Sequence, residues 1–398
     1  MPMLRAGRRP GGRRDIDKIE KNIMEKTVLF FAAAAMLAGC AKNEVVTTPE
    51  GGAKEITFET SPVVKTPTST QKDFTNTNVF ASAAYYIDET DANGDIIKFA
   101  DWDWNSKTEP DLFIGTENAN TGAIDGDVIA WNTTDKVWRS TSRKYYWPKK
   151  GQLTFFAWSL NKANLDFPKD AKGNSTWVSC TAAQGVVAMN YDIELNKNVD
   201  FMVADIAADK TANENVYYHA GVPTLFRQKL SQLYLTVKEK DKYQDQDIYL
   251  TLKSITFNKL NKDANYTQTP DKMTVGSTTT DQSYTSADQK VDQTTATEIE
   301  SVDQYIYLPQ SFDDNKTIEV TYTIGYDLDG DGTVDKTKGD IVETITETKK
   351  LSEIFGTEWT MGKKYTLDIT FALDEILWDP AVQDWISTDA ESKDVDVK

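Results

Sequence analysis

The chain has 398 residues, 27% of them charged, and a net charge of −18 at pH 7. Such a charge excludes nucleic-acid binding, which demands a positive footprint for the phosphates. With one histidine and two cysteines, the sequence lacks the ligands of a zinc site and supplies little for Ser/His/Asp or Cys/His catalysis. We therefore predict a protein that is not an enzyme, with a solvated extracellular surface.

The first element is an apolar run from Val28 to Ala38, which follows Lys26 and ends in Leu37-Ala38-Gly39-Cys40. A charged start, a short apolar core and small residues at the end are typical of a secretory signal. The run is too short to span a bilayer, which needs roughly 20 apolar residues. Its end resembles the bacterial lipobox, so residues 1–39 are predicted to be a leader and lipoprotein signal peptide. Cys40 is then the lipidated (palmitate-bearing) N-terminus of a surface-exposed lipoprotein of the cell outer membrane.

The stretch behind the signal starts as a tether and continues as a short strand. Residues 40–53 are polar, and we predict that they connect the lipid to the folded part of the chain. Residues 54–60 read as a strand in which Ile56 and Phe58 share one face, because side chains two positions apart lie on the same side of a strand. The Pro-, Thr- and Ser-rich stretch from Ser61 to Thr77 then predicts a loop.

Residues 54–220 are predicted to form the N-terminal β-sandwich domain. Val79–Ile87 reads as one strand, and Trp131 and Trp138 bracket a hairpin turn. Leu153–Trp158 is apolar on both faces, which predicts a strand at the centre of a sheet.

Residues 221–398 are predicted to form the C-terminal β-sandwich domain. Apolar and polar residues alternate along Ile318–Tyr326 and Tyr365–Leu373, which is the period of a half-buried strand. Before these runs in the chain, the polar composition of residues 258–298 predicts long loops with weak edge strands. The sequence thus predicts an all-β protein of two tandem transthyretin- or immunoglobulin-like β-sandwich domains behind a lipoprotein signal peptide.

An acidic loop between two predicted strands offers ligands for calcium. A calcium loop needs oxygen ligands at positions 1, 3, 5 and 9, a glycine at position 6 and a bidentate carboxylate at position 12. Oxygen ligands are present at positions 1, 3, 5 and 9, as Asp327, Asp329, Asp331 and Asp335. Position 12 is Lys338, so the predicted affinity is weak at best. The alternative interpretation is an acidic hairpin turn without a metal; no other cofactor is predicted.

Ten tryptophans raise a carbohydrate-binding alternative, since indole faces stack on sugars. Trp102 and Trp104 flank Asp103 in a strand-like stretch and would point to the same side. Tryptophans in a sandwich without disulfides also serve as core packing, so both interpretations stay open. The single histidine, His219, and the free Cys180 are predicted to be structural.

Seven short segments, in a fixed order, extend over nearly all of the chain behind the lipobox. They are Tyr146–Pro148, Leu153–Trp158, Asp200–Ala204, Phe226–Leu233, Tyr307–Gln310, Trp359–Tyr365 and Val382–Trp385. In these segments the chain resembles the fimbrillin (FimA-like, Mfa-like) pilins of the Bacteroides group. The resemblance implies a subunit of a fimbrium, or pilus, that serves cell adhesion and has other fimbrial subunits as partners.

The resemblance also implies a mechanism of assembly. Fimbrillins travel as lipoproteins until a protease removes the tether with the first strand, and a neighbour's C-terminal strand fills the exposed groove. Here the strand that is removed or exchanged contains Ile56 and Phe58. The donor strand is predicted within residues 376–386, with four apolar side chains, Ile376, Trp378, Val382 and Trp385.

Processing is where the sequence departs from the family. The family's protease cuts after arginine, yet the first arginine after Cys40 is Arg139, and the predicted loop offers only lysines such as Lys65 and Lys72. Either a protease of another specificity acts, or the subunit keeps its lipid and strand as an anchor or accessory protein. A surface glycan-binding lipoprotein of the outer membrane is the alternative function.

Overall fold

The computed structural model describes residues 54–60, 76–118, 123–160, 167, 169, 172–173, 178–197, 199–212, 221–299 and 305–384. The leader, the tether, Cys40, His219 and Trp385 lie outside the described residues. Within them almost all regular structure is β-strand, which confirms the predicted all-β class. No helix in this part of the chain is long and apolar enough to cross a membrane.

The strands of the first half are short, and most have two to nine residues. They are β1 (Phe58–Glu59), β2 (Val79–Ile87), β3 (Asp111–Ile114), β4 (Thr116–Glu117), β5 (Ile124–Asp125), β6 (Asp127–Asn132), β7 (Val137–Ser140), β8 (Gln152–Ser159), β9 (Val178–Thr181), β10 (Gly185–Asp192), β11 (Met202–Ala204), β12 (Ala207–Lys210), β13 (Val222–Pro223) and β14 (Phe226–Gln228). A 3-10 turn occupies Phe99–Asp101.

The second half contains longer strands and one short α-helix. The strands are β15 (Ser231–Glu239), β16 (Ile248–Asn261), β17 (Asp263–Thr267), β18 (Lys272–Val275), β19 (Thr279–Val291), β20 (Thr297–Glu298), β21 (Tyr305–Tyr307), β22 (Gln310–Ser311), β23 (Thr317–Tyr326), β24 (Ile341–Lys350), β25 (Glu358–Trp359), β26 (Lys363–Phe371) and β27 (Ile376–Asp384). Helix α1 spans Leu351–Phe355, and 3-10 turns occupy Tyr243–Gln246 and Lys336–Lys338.

The first sandwich consists of a ten-stranded and a six-stranded sheet. The large sheet runs in the order β13-β1-β7-β6-β2-β8-β11-β14, with β3 also paired to β2 and β12 to β8. All residues of β8 are buried, as expected for the central strand predicted from its apolar run. The smaller sheet has the order β18-β17-β10-β9-β5-β4. Tyr85 and Trp158 of the large sheet share a core with Val186 and Tyr266 of the small one.

The large sheet curls around a second core on its other face. Phe58 on β1 contacts Phe80 on β2 and Phe155 on β8, with ring centroids 5.5 and 5.9 Å apart. Phe226, on β14 at the far end of the sheet, also contacts Phe80, with centroids 5.4 Å apart. Because three strands separate β1 from β8 in the sheet order, these contacts require the sheet to bend back on itself. The curled sheet therefore encloses an apolar interior, which we call the inner core.

The second sandwich packs two further sheets against each other. One has the order β20-β15-β26-β27, with β21 also paired to β15, and the other has the order β19-β16-β23-β24. Strands β15 and β26 pair in parallel from Gln232↔Lys364 to Glu239↔Phe371. Tyr322 of β23 meets Phe371 of β26 across the core, with ring centroids 4.8 Å apart. The alternation predicted for β23 and β26 thus places their apolar side chains between the two sheets.

One hairpin connects the two sandwiches. Strands β17 and β18 follow residue 221 in the sequence, yet β17 pairs with β10 of the first sandwich. At the turn of this hairpin the Asp271 carboxylate lies 2.8 Å from the Lys229 ammonium. The Gln268 amide donates to the Ala204 carbonyl oxygen at 2.7 Å. The second half of the chain therefore completes the smaller sheet of the first sandwich.

Residues 258–298 differ from the prediction. They were expected to form long loops with weak edge strands, and they contain the end of β16 and the whole of β17, β18, β19 and β20. The expected edge strands are present, since β18, β19 and β20 lie at sheet edges. Strand β19 pairs with β16 along most of its length. The expected long loops were wrong, because that part of the prediction equated polar composition with irregular structure. Threonine favours extended backbone, and an antiparallel strand with one face in solvent needs few apolar residues.

Candidate functional site

The residues Lys54–Thr60, which we call the N-terminal segment, are bonded on both sides within the large sheet. On one side the Ile56 amide donates to the Tyr145 carbonyl at 2.8 Å. On the other, the Val222 amide donates to the Thr57 carbonyl at 2.7 Å. Phe58 pairs with Val222 in parallel and with Trp138 in antiparallel register. The segment is therefore an interior strand of this sheet.

The side chains of Ile56 and Phe58 point into the inner core, as the sequence predicts for two residues on one face. Ile56 is 2% exposed and Phe58 is 4% exposed. The Phe58 ring meets Phe80 and Phe155 edge to face, a favourable geometry for aromatic pairs. These two side chains are the main apolar contribution of the segment to the fold.

The Glu55 side chain lies on the opposite face of the segment, between two cations. Its Oε1 atom is 3.5 Å from Arg139 Nη1, and its Oε2 atom is 3.2 Å from Lys144 Nζ. Glu55 is only 8% exposed, whereas Lys144 is half exposed. The second guanidinium nitrogen of Arg139 binds Asp135 at 2.6 Å. We call Arg139 and Lys144 the basic clamp, because together they hold the buried Glu55 carboxylate.

Gly221 allows the backbone of β13 to approach the segment closely. A β-carbon added at Gly221 would lie 2.7 Å from the carbonyl carbon and oxygen of Thr57 and 2.8 Å from the carbonyl carbon of Phe58. Real β-carbons essentially never come so close to backbone atoms. The absence of a side chain at this position is thus a condition for the observed pairing.

The strand β27, predicted as the donor, is an edge strand of the second sandwich in the described part of the chain. It pairs with β26 from Lys363↔Asp384 to Phe371↔Ile376. Ile376 is buried and Trp378 is half buried against the second core, but Val382 is 60% exposed. The structure therefore brings only Ile376 and Trp378, of the predicted donor residues it describes, into one apolar contact area.

The acidic loop assembles a different group of carboxylates from the predicted one. Asp327, Asp329 and Asp340 each offer an oxygen, and these oxygens lie within 4.8 Å of one another. Two of the predicted ligands are absent from this group, because Asp331 binds Lys338 and Asp335 accepts from the Thr337 amide. Asp340 was missed because it lies outside the calcium-loop pattern.

Hydrogen bonds and burial set the charges in this loop. Burial opposes ionisation of Asp327, but the amides of Gly332 and Gly330 donate to it and keep the pKa of this carboxyl below its ordinary value. Burial raises the pKa of Asp329. The Lys338 ammonium lowers the pKa of Asp331 to about 2. The loop can therefore hold negative charge at neutral pH. The amides of Gly330 and Gly332 compensate part of this charge at Asp327, and the Lys338 ammonium compensates the charge of Asp331, outside the cluster.

The tryptophans proposed as a sugar platform do not form one. Trp102 is 6% exposed, and its indole nitrogen donates to the Thr108 carbonyl at 3.3 Å. Trp104 is partly exposed and meets Phe99 edge to face, with centroids 5.5 Å apart. The two indoles therefore do not present one flat apolar surface. Cys180 is a buried free thiol, and burial raises its pKa, so it is not poised as a nucleophile.

The sequence matches the model of the family described as Fimbrillin-like over residues 98–385. The chain belongs to the fimbrillin-like family. This confirms the resemblance found in the sequence and supports a fimbrial subunit role at the cell surface, structural and not catalytic. The curated proteins include no sequence that matches the chain.

The solved structures that are similar to this fimbrillin include two from Bacteroides species. One is a fimbrial protein from Bacteroides vulgatus ATCC 8482, with 17% identity and a TM-score of 0.51, and the match covers 83% of this chain and 99% of that one. The other is a proposed cell adhesion protein from Bacteroides uniformis ATCC 8492, with 15% identity and a TM-score of 0.45, covering 83% and 98% of the two chains. At 17% identity the likeness to the first structure supports the fold alone.

Sequence reasoning found the two apolar residues of the segment in this fimbrillin but missed their surroundings. Arg139, Lys144 and Gly221 follow Glu55 by more than 80 positions, and no local pattern links them to it. The sequence offered one partial signal, the acidic residue directly before the apolar pair, because a carboxylate requires a partner when it is buried. The identity of that partner depends on the tertiary structure.

Proposed function

We propose that this fimbrillin builds surface filaments by strand exchange, in which a strand of another subunit takes the place of the N-terminal segment. The observation behind the proposal is the position of that segment. It is a short piece at the start of the described chain, yet it fills the interior of the large sheet through Ile56 and Phe58.

The energetics of the segment make its replacement necessary once it leaves. Burying an isoleucine or phenylalanine side chain contributes about 1.5–3 kcal/mol. Removal of the segment would expose the rings of Phe80 and Phe155 and break the backbone bonds to Tyr145 and Val222. An open groove with unpaired backbone groups favours a new strand, which supplies hydrogen bonds along its backbone and apolar side chains at alternate positions.

The proposed donor is the strand β27, with its continuation to Trp385 and Ile386. As an edge strand, β27 has one strand partner, so it can leave the sheet by breaking its ladder with β26, the hydrogen bond from the Ile376 amide to Glu347 and the core contacts of Ile376 and Trp378. Its side chains beyond Trp378 are exposed, so they lose little apolar burial when it moves. Ile376 and Trp378 are the donor side chains with the spacing of Ile56 and Phe58.

Attachment to the cell is proposed through a lipid on Cys40 at the outer membrane. Cleavage after the N-terminal segment would free a subunit for polymerisation. A lysine-directed cut near Lys65 or Lys72, within the predicted loop, would separate the N-terminal segment from the rest. A subunit that escapes cleavage would keep both lipid and segment and serve as the anchor or accessory protein of a filament.

The glycan-binding alternative receives less support than filament assembly. Its sequence basis was the pair Trp102 and Trp104, and the first of these indoles is buried. No second pair of neighbouring exposed tryptophans replaces it among the described residues. Filament assembly therefore explains more of the structure, because it gives a role to the N-terminal segment and to the exposed edge of β27.

Mass spectrometry of filaments sheared from cells tests the proposal. We expect a mature N-terminus near Lys65 or Lys72 in most subunits, with residues 54–60 missing from the filament. An acylated Cys40 in a minority of subunits would identify the anchor. Filaments in which every subunit retains a covalently attached N-terminal segment would contradict strand exchange.

A pair of variants in β27 tests its role as donor, and circular dichroism checks that both variants are folded. Ile376→Ala removes a buried donor side chain, whereas Val382→Ala changes an exposed residue of the same strand. We expect short or missing filaments for the first and normal filaments for the second, with both proteins still exported. Normal filaments from Ile376→Ala would argue against β27 as donor.

A further inference from the structure

A five-residue pattern in the N-terminal segment recurs at the start of β27. The segment reads Glu55-Ile56-Thr57-Phe58-Glu59, and the chain from residue 375 reads Glu375-Ile376-Leu377-Trp378-Asp379. Both consist of an acidic residue, an isoleucine, a variable residue, an aromatic residue and a second acidic residue. This pattern occurs at these two places only in the sequence.

The two copies of the pattern are used in similar ways in the two sandwiches. Ile56 and Phe58 enter the inner core of the first sandwich, and Ile376 and Trp378 pack on the core of the second. A nearby relative of the pattern, Asp368–Phe371, lies in β26, which is bonded to β15 on one side and β27 on the other. It cannot leave its sheet without breaking the second sandwich, so it is not a donor.

The acidic residue that starts each pattern has a different environment in the two places. Glu55 is buried in the basic clamp, 3.5 Å from Arg139 and 3.2 Å from Lys144. Glu375 is exposed, and its nearest cation is Lys240 at 4.0 Å, also exposed. Exposed ion pairs of this kind contribute little. Glu375 can therefore leave its own sandwich at small cost.

Because of the basic clamp, the groove that the N-terminal segment leaves presents two cations as well as an apolar interior. When the N-terminal segment leaves, Arg139 keeps Asp135 as a partner, but the pair of cations has lost the carboxylate that lay between them. A partly buried cation without its partner is costly, and hydrogen bonds to charged groups are stronger than neutral ones. An incoming strand that offers a carboxylate at this position is favoured over one that does not.

We propose that the basic clamp selects and registers the incoming strand, and that this strand is Glu375–Asp379 of a second copy of the chain. In this register Glu375 replaces Glu55 between Arg139 and Lys144, while Ile376 and Trp378 replace Ile56 and Phe58. The inference rests on the proposed strand exchange and adds to it the register and a charge requirement.

A displacement assay with the full chain tests this register. A cleavage sequence for a site-specific protease is placed within residues 61–75 and cut after folding, so that the N-terminal segment is held by non-covalent contacts alone. A labelled peptide of residues 372–386 is then added. Fluorescence anisotropy measures peptide binding, and mass spectrometry measures the fragment that is released. We expect the peptide to bind as the fragment leaves.

Two peptides with the same charge change provide the matched comparison. Glu375→Lys places a cation in the basic clamp and should weaken displacement about tenfold or more. Asp374→Lys makes the same change one residue earlier, where the N-terminal segment has Lys54, and should leave displacement unchanged. Equal displacement by the two peptides would overturn the clamp while leaving strand exchange in place.

A charge reversal within the basic clamp of the protein completes the test. In Lys144→Glu, a change at a half-exposed side chain, the preference for Glu375 over Glu375→Lys should fall by about tenfold. Circular dichroism checks that this variant is folded. Failure of every peptide to displace the fragment would contradict the proposed function itself. Displacement by a peptide of residues 387–398 alone would overturn Glu375–Asp379 as the donor.

Discussion

The ring of Phe58 meets the ring of Phe155 edge to face, with centroids 5.9 Å apart, across an apolar interior that one curled sheet encloses. Since the contact joins the first described strand to the central strand β8, the fold of the first sandwich depends on a segment that precedes the rest of it. This dependence leads to measurable consequences for stability.

Phe58→Ala should strongly destabilise the first sandwich. Removing a buried phenylalanine ring costs about 3–5 kcal/mol, because burial is lost and a cavity remains. Val382→Ala, at an exposed position of β27, should change the free energy of unfolding by less than about 0.5 kcal/mol. Urea unfolding followed by tryptophan fluorescence measures both. Similar values for the two variants would show that Phe58 is not part of the core.

Gly221→Ala should loosen the N-terminal segment. The added β-carbon would lie 2.7 Å from the Thr57 carbonyl group, and two backbones would have to separate to admit it. The Val222 amide, which donates to Thr57 at 2.7 Å, should then exchange its hydrogen faster. The amides of β26 serve as an internal control. Unchanged exchange at Val222 would contradict the close packing of these strands.

Asp271→Ala should weaken the hairpin that connects the two sandwiches. Asp271 binds the buried ammonium of Lys229 at 2.8 Å and accepts from the Tyr266 hydroxyl at 2.8 Å, so its loss leaves two donors without this acceptor. We expect a loss of about 1–3 kcal/mol in the free energy of unfolding. Asp288→Ala breaks the exposed pair with Lys253 and is the control, with an expected change of about 0–1 kcal/mol. Equal losses would refute the role of burial.

The ion pair of Asp331 with Lys338 should make the acidic loop sensitive to strong acid. Because Lys338 lowers the pKa of Asp331 to about 2 from an ordinary value of 3.8, the folded state binds this proton less tightly than the unfolded state. The resulting stabilisation is complete above pH 4 and disappears as the pH falls to 2. Carboxyl NMR of Asp331 should give a midpoint near 2, and Lys338→Ala should shift it upward. An unshifted midpoint in the variant would contradict the pairing.

Calcium binding by the loop from Asp327 to Asp335 stays a prediction. We expect a dissociation constant of about 10⁻⁴–10⁻³ M by calorimetry, in the range of weak extracellular modules. Lys338→Glu supplies the absent twelfth ligand and should bind more tightly, whereas Asp329→Asn should bind more weakly. Asp379→Asn, an exposed change elsewhere, should have no effect. Absence of binding by both the wild type and Lys338→Glu would favour the metal-free acidic turn.

Local patterns were sufficient to predict strands whose two faces differ in polarity. The runs Ile318–Tyr326 and Tyr365–Leu373 correspond closely to β23 and β26, because period-two alternation depends on neighbouring residues alone. The run Val79–Ile87 was also predicted as one strand and corresponds to β2, but this strand is buried on both faces. Strand β19 was missed because its polar residues resemble a loop in composition.

Pairings between distant residues could not be predicted from such patterns. The parallel contacts of β1 with β13 and of β15 with β26 join segments more than 100 residues apart. The basic clamp around Glu55 likewise joins residues more than 80 positions apart, and Asp340, although near Asp327 in sequence, lies outside any calcium-loop pattern. In each case the partner is chosen by the tertiary fold, and one sequence without its relatives contains no local sign of that choice.

The hairpin of β17 and β18 has a mechanical consequence. Traction along a fibre passes from one sandwich to the other through every covalent and hydrogen-bonded connection that joins them. Here those connections include the ladder between β10 and β17 as well as the chain between β14 and β15. A force that pulls the two sandwiches apart must therefore break several hydrogen bonds of this ladder together before the polypeptide connection alone bears the load.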